Sequence, residues 1–206
     1  CRIRDGFNQT LGVWSRPRGA RGEGFLVDRD EVDAVVREVM QTYKVVWFGV
    51  DPSPAKDDST EASYWLPVID GWHRDFGRKL RVWATPGAKG NAVLWDMRLS
   101  SPGGANRNRL FANEVEVIQQ QVDNDGLDGP FRHDGSPALV AHVNNTRMRW
   151  NKFGMAVGKK TRDSSQLVDL CVAMIGANVG GREALNSGKV RWSWRSGKSA
   201  RFVALR

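Results

Sequence analysis

The chain is predicted to be an α/β domain, a mixed sheet flanked by helices, and three observations carry that prediction. Residues 1–3 read as the end of a strand, Asp5-Gly6 as a turn, and 7–14 as the second arm of a hairpin. Val32, Val35, Val36, Val39 and Met40 recur at helical spacing and mark an amphipathic helix over 29–43. The run 45–50, Val-Val-Trp-Phe-Gly-Val, is short, apolar and closed by Pro52, as a buried strand should be. Hairpin, helix and strand in succession make a layered α/β unit.

Taken in order, the next elements have local causes. The basic, Gly-rich stretch 15–24 reads as a solvent-exposed loop, a composition that also suits phosphate contact. Asp28 can cap the first helix, with Glu31 three residues on as in a capping box. A second helix should follow the Asp57-Asp58-Ser59-Thr60 cluster and bury Trp65, Val68, Ile69, Trp72 and Phe76 before Gly77 closes it. Pro67 belongs in an early turn of that helix, or delays its start. Residues 79–83 alternate like a strand. Residues 84–108 lack periodicity and read as a Gly/Arg-rich insertion near a nucleic-acid face. Helix 110–124, a short helix holding Leu139, Val140 and Val143, and a small strand at 155–157 come next. The last main helix is capped by Ser164 or Ser165 and buries Leu167, Leu170, Cys171, Met174 and Ile175. The organisation is one domain over 1–187 with a basic tail over 188–206.

Composition narrows the function classes. The chain has 206 residues and a formal net charge of +8, from 31 Lys and Arg against 23 Asp and Glu. Its isoelectric point, near 9.9, is the electrostatic footprint of a nucleic-acid partner. Two cysteines, Cys1 and Cys171, make neither a disulfide framework nor a zinc site, so a reducing compartment is expected. No apolar run approaches the length of a membrane span. The chain opens on Cys1 rather than Met and is expected to begin inside a longer one.

Two carboxylates stand out. Asp51 ends the 45–50 strand, and ligands of open α/β sheets bind outside the carboxyl ends of strands. An acid there, on a basic chain, points to a metal ion used on a phosphate backbone. Asp169 is embedded among Leu167, Val168, Leu170 and Cys171, where a charge is costly unless paired or metal-bound. It can serve as a first-turn acid favoured by the helix dipole, pair with Lys159, Lys160 or Arg162, or complete a metal cage with Asp51. Asp58 is an N-cap of the following helix or an accessory group orienting water. His133 and Asp134 precede Gly135-Ser136-Pro137 and suit turn and cap chemistry or a place near the site. His73 and His142 lie on helical patterns as packing or surface residues. The tail interleaves Arg with Trp and Phe, which suits base stacking or a half-buried strand.

The run Thr10-Leu-Gly-Val-Trp14, the block Val50-Asp-Pro52, His133-Asp-Gly-Ser-Pro137, His142-Val-Asn144 and Ser165-Gln-Leu-Val-Asp169-Leu-Cys-Val-Ala173 together resemble the C-terminal half of phage terminase large subunits. The resemblance spans about residues 2–187, rests on the order and spacing of these motifs, and is strongest to terminases of phages infecting actinobacteria. It implies an RNase H-like nuclease domain that cuts double-stranded concatemeric DNA during packaging. An upstream ATPase domain, the portal and the small terminase subunit are the implied partners. The implied location is the host cytoplasm, transiently at the portal vertex of the procapsid. The family holds two divalent ions, Mg²⁺ or Mn²⁺, with three acidic positions. Asp51 matches the middle one and Asp169 the last. The first lies on an opening strand that would precede Cys1, and neither Asp5 nor Asp57-Asp58 is a good substitute. Two carboxylates offset only half the charge of two ions, which sit about 3.5–4 Å apart in such sites. The chain alone is therefore expected to be a weak nuclease or none, and the longer protein the enzyme. Lys159, Lys160 and Arg162 are the expected phosphate contacts. The alternative is a catalytically inactive fragment that binds nucleic acid or docks within the packaging motor.

Overall fold

The computed structural model describes residues 1–3, 5–17, 19–52, 59–125, 131–161, 164–190 and 200–205. Strands β1 (Arg2–Ile3) and β2 (Phe7–Asn8) form the expected hairpin. Its turn needs Gly6, whose φ is 89°, and is tied by Asp5 Oδ1 accepting from the Phe7 amide at 3.1 Å. The second arm is shorter than the sequence suggests. The Thr10 amide leaves the ladder and donates instead to Asp134 Oδ2 at 2.7 Å.

Helix α1 (Arg29–Thr42) starts where Asp28 accepts from the Asp30 and Glu31 amides. Val32, Val36, Val39 and Met40 are its buried stripe. Strand β3 (Lys44–Val50) is buried along its length except at Lys44. Helix α2 (Ser59–Phe76) carries Pro67 in its interior, not in an early turn. Proline there removes one helical hydrogen bond, and both Pro67 and Ser63, whose carbonyl loses its donor, are solvent-exposed.

Residues 79–83 do not form the expected strand. The Arg81 and Val82 amides both donate to the Val46 carbonyl, at 3.0 and 3.1 Å, so no ladder can propagate. Residues 84–103 hold no helix and only isolated bridges, and they are tied down. Thr85 pairs with Asn91, Leu94 lies parallel to Val50, and Arg107 gathers the remainder. Its Nε donates to the Asp96 carbonyl, Nη1 to Thr85 Oγ1, and Nη2 to Ser101 Oγ and the Pro102 carbonyl. Helix α3 (Gly104–Asp125) accordingly begins six residues before position 110, its first turns serving as the frame of that loop.

Strand β4 (Arg132–His133) pairs parallel to β2. Helix α4 (Pro137–Asn145) follows with Pro at its first position. Strands β5 (Arg147–Asn151) and β6 (Gly154–Gly158) make a separate two-stranded hairpin, of which only β6 was legible. Helix α5 (Asp169–Asn186) starts later than Ser164 or Ser165. Its first turn is capped by His142, whose Nδ1 accepts from the Leu170 amide at 2.9 Å.

Strand β7 (Ala200–Leu205) comes from the segment read as a basic tail whose alternation also suits a strand, and it lies between β3 and β1. The order is β3-β7-β1-β2-β4, with β7 parallel to β3 and antiparallel to β1. The fold is a mixed α/β arrangement, as the sequence predicts. Val45, Phe48 and Val50 pack with α1 and α2, while Val46 and Trp47 pack with Val179 and Ala184 of α5. A third cluster joins α3 to α5 through Phe111, Val115, Ile118, Cys171 and Ile175. Buried Asn178 ties α5 to the sheet by donating to Asn8 Oδ1 at 2.8 Å, and Asn8 donates in turn to the Arg132 carbonyl.

Candidate functional site

Asp51 stands at the carboxyl end of β3, half-buried, as the Pro-terminated strand requires. The segment after it was not anticipated. The Val50 amide donates to the Val93 carbonyl at 2.8 Å, and the Trp95 amide to the Val50 carbonyl at 2.7 Å. Residues 93–95 thus flank β3 as a parallel partner, and both run out into an aspartate. Asp96 is this second acid, buried to 4% exposure. The Met97 amide reaches Asp51 Oδ1 at 3.5 Å. Arg107 feels both carboxylates, which partly offset the lowering that burial imposes on its guanidinium. Sequence reasoning missed Asp96, although Leu94-Trp95-Asp96 repeats the apolar-then-acid pattern of Gly49-Val50-Asp51.

Asp96 is firmly engaged. Arg98 donates to Oδ1 and Oδ2 from Nε, and to Oδ2 from Nη2 at 2.7 Å. Asp58 lies outside the described residues.

Asp169 is the first residue of α5 and stands close to His142. Burial pulls His142 below its usual value, and the Asp169 charge opposes that shift. A neutral His142 is what the cap requires, because its Nδ1 must accept the Leu170 amide. The structure thus groups Asp51 with Asp96 and Arg107, and Asp169 with His142. Among the described residues no group of three or more His, Cys, Asp or Glu side chains has the spacing to hold a metal ion.

His133 and Asp134 are exposed and work locally. His133 Nδ1 accepts from the Gly135 amide, and Asp134 accepts from the Ser136 and Thr10 amides. The turn chemistry read from the sequence is present. Burial pushes the Cys171 thiol up, against a hydrogen bond from Thr146, which fits its place in the core.

Lys159 and Lys160 follow β6 at the root of the β5–β6 hairpin. Arg149 Nη2 donates to both of their carbonyls, at 2.7 and 2.6 Å, holding the two lysines against β5. Arg147, Met148, Arg149 and Trp150 of β5 are all exposed, Trp150 to 75%. The opposite strand packs Met155 and Val157 on α3. One face of the hairpin is therefore anchored, and the other offers cations and an aromatic ring to solvent. Arg162 lies outside the described residues. No helix among the described residues is long and apolar enough to cross a membrane.

Two proteins of mycobacteriophages are similar to this chain. It is 30% identical to the Gene 13 protein of Mycobacterium phage D29 over 207 residues, a match covering all of the chain and 29% of the relative. It is 31% identical to the Gene 13 protein of Mycobacterium phage L5 over 192 residues, covering 93% of the chain and 28% of the relative. The chain thus spans less than a third of the length of either. No family model matches it. No solved structure matches it either.

Proposed function

We propose, from the bacteriophage origin that these relatives give the chain, that it is the nuclease portion of a DNA-packaging terminase. In this reading it hydrolyses phosphodiesters of double-stranded DNA with divalent ions, as part of a longer protein that carries the motor ATPase. The observation that supports the reading best is the pair of parallel segments that each run out into an aspartate, Asp51 and Asp96, both acting on Arg107. The carboxyl ends of strands are where α/β sheets place their ligands, and an RNase H-like nuclease would need its acids there. The exposed cationic face of the β5–β6 hairpin supplies a surface for the phosphate backbone.

The described donors do not by themselves make a two-ion cage. Both oxygens of Asp96 accept from Arg98, and Asp169 stands close to His142. A further carboxylate from outside the described residues is required, which Asp58 or the remainder of a longer protein would supply. Asp51 is the residue expected to touch an ion, and Asp169 the residue expected to complete the site once the donor set is whole. The chain alone is expected to cut weakly or not at all.

One observation favours a second reading, a module that binds DNA without cutting it. Asp96 and the Asp169–His142 pair both have sufficient structural uses, as an arginine clamp and a helix start. The test is plasmid cleavage with Mg²⁺ or Mn²⁺ by the 206-residue chain and by a version extended to the length of the phage relatives. Cleavage by the extended protein, abolished by Asp51→Asn and by Asp169→Asn, supports the nuclease. An extended protein that binds DNA and never nicks it leaves the binding module standing.

A further inference from the structure

We infer that the cavity between the 81–89 loop and α3 is a nucleotide-binding site, distinct from the acidic end of β3 and independent of the nuclease reading. The cavity has a volume of about 650 Å³, within the range of small-molecule sites. Arg81, Lys89, Arg107 and Lys189 line it against a single carboxylate, Glu183. The donors of Arg107 are already occupied by the loop, so it shapes the wall. Arg81, Lys89 and Lys189 are exposed and remain to meet a phosphate.

The aromatic lining points to the rest of the ligand. Trp83 is 37% exposed at the cavity. It is held in place by its indole N–H donating to the Gly77 carbonyl at 3.0 Å and by the His73 ring standing edge-on at 5.3 Å. An anchored, half-open indole among cations is a platform on which a base can stack while its phosphate is neutralised. Deeper in the lining are Trp47 and Trp95, at 1% and 6% exposure. Their indole N–H groups are buried with no acceptor among the described residues, and their rings line the cavity as apolar wall. A nucleoside phosphate combines an anion for the three cations with a base of the right size for Trp83.

The nucleotide can be a free one or one unit of a strand, and the test separates these sources. The whole chain, with EDTA present to silence any ion at Asp51, is titrated with 5′-dAMP, with a short single-stranded deoxyadenylate oligonucleotide and with inorganic phosphate. The readouts are tryptophan emission and the indole N–H resonances. The expected result is a saturable shift of the Trp47, Trp83 and Trp95 resonances by dAMP. Affinity should fall tenfold or more in Arg81→Ala/Lys89→Ala and in Trp83→Ala, recover in Trp83→Phe, and be unchanged in Asp51→Asn. Tenfold tighter binding of the oligonucleotide than of dAMP assigns the site to a strand, and equal affinity to a free nucleotide. The inference is overturned if neither ligand shifts the resonances at millimolar concentration. It is equally overturned if a folded Arg81→Ala/Lys89→Ala protein binds dAMP as well as the parent.

Discussion

Replacing Gly180 with alanine should reverse the usual effect of that substitution in a helix. Alanine is favoured over glycine inside a helix by about 0.8–1.0 kcal/mol. At position 180 of α5, however, a Cβ would collide with Cδ2 and Cε3 of the Trp47 indole and lie 2.6 Å from Cζ3. The ring cannot retreat. Gly49 closes its far side, where an added Cβ would meet Cζ2 at 2.7 Å, and Trp95 stands edge-on with centroids 5.5 Å apart. Forcing atoms into a filled core costs about 1–3 kcal/mol, and the confinement of Trp47, at 1% exposure, argues for the upper part of that range. After the propensity gain, Gly180→Ala should destabilise by about 1–2 kcal/mol. Gly71 of α2 is the internal control, since a Cβ there meets nothing nearer than Arg74 Nη2 at 4.0 Å. Gly71→Ala should stabilise by about 0.5–1 kcal/mol. Urea unfolding followed by far-UV circular dichroism and tryptophan emission would measure both, with midpoints moving in opposite directions. Trp47→Phe introduced with Gly180→Ala should recover part of the loss, a coupling of about 1 kcal/mol. A Gly180→Ala protein as stable as the parent, or strict additivity with Trp47→Phe, would refute the packing of α5 on β3.

Other expected outcomes follow from the same contacts. Burial lowers the His142 value, so the folded protein disfavours its protonation; the associated stability is intact above about pH 6.5 and is lost as pH falls through the lower folded value. Unfolding midpoints at pH 7.5 and 5.5 should therefore diverge more in the parent than in His142→Gln. Lys159→Ala with Lys160→Ala should weaken duplex binding at low salt and reduce the slope of log affinity against log salt by about 1–2, measured by fluorescence anisotropy. Removing residues 200–206 should abolish cooperative unfolding, because β3 and β1 lose their shared neighbour; a retained sigmoidal urea transition would show that the sheet holds without it.

Much of the framework was legible because its signals are local. The Asp28 cap, the Val stripe of α1 and the apolar run of β3 each depend on a few neighbouring residues, and each was read correctly. Failures arose where distant partners decide. The start of α3 was missed because Arg107 and Asn108 look like loop residues until their donors are seen holding the 84–103 segment. The 79–83 alternation failed because one carbonyl, Val46, takes both amides that a ladder would have used separately. Asp51 was visible because proline punctuates its strand. Asp96 was not, since its neighbours form only a parallel bridge to Val50. No local pattern announces that His142 caps a helix 28 positions away.

The place of β7 has a consequence in time. The strand that stitches the N-terminal hairpin to β3 is the last of the described elements to be synthesised. At about 5–20 residues per second, β3 waits about 10–30 s and the hairpin about 10–40 s before that partner exists. Through this interval β1 and β3 each present an unpaired edge, the kind that recruits strands from other chains. Nascent copies made side by side on one message are thus at greatest risk of pairing with each other. A chaperone that binds extended apolar segments would be needed during translation, and not once the sheet has closed.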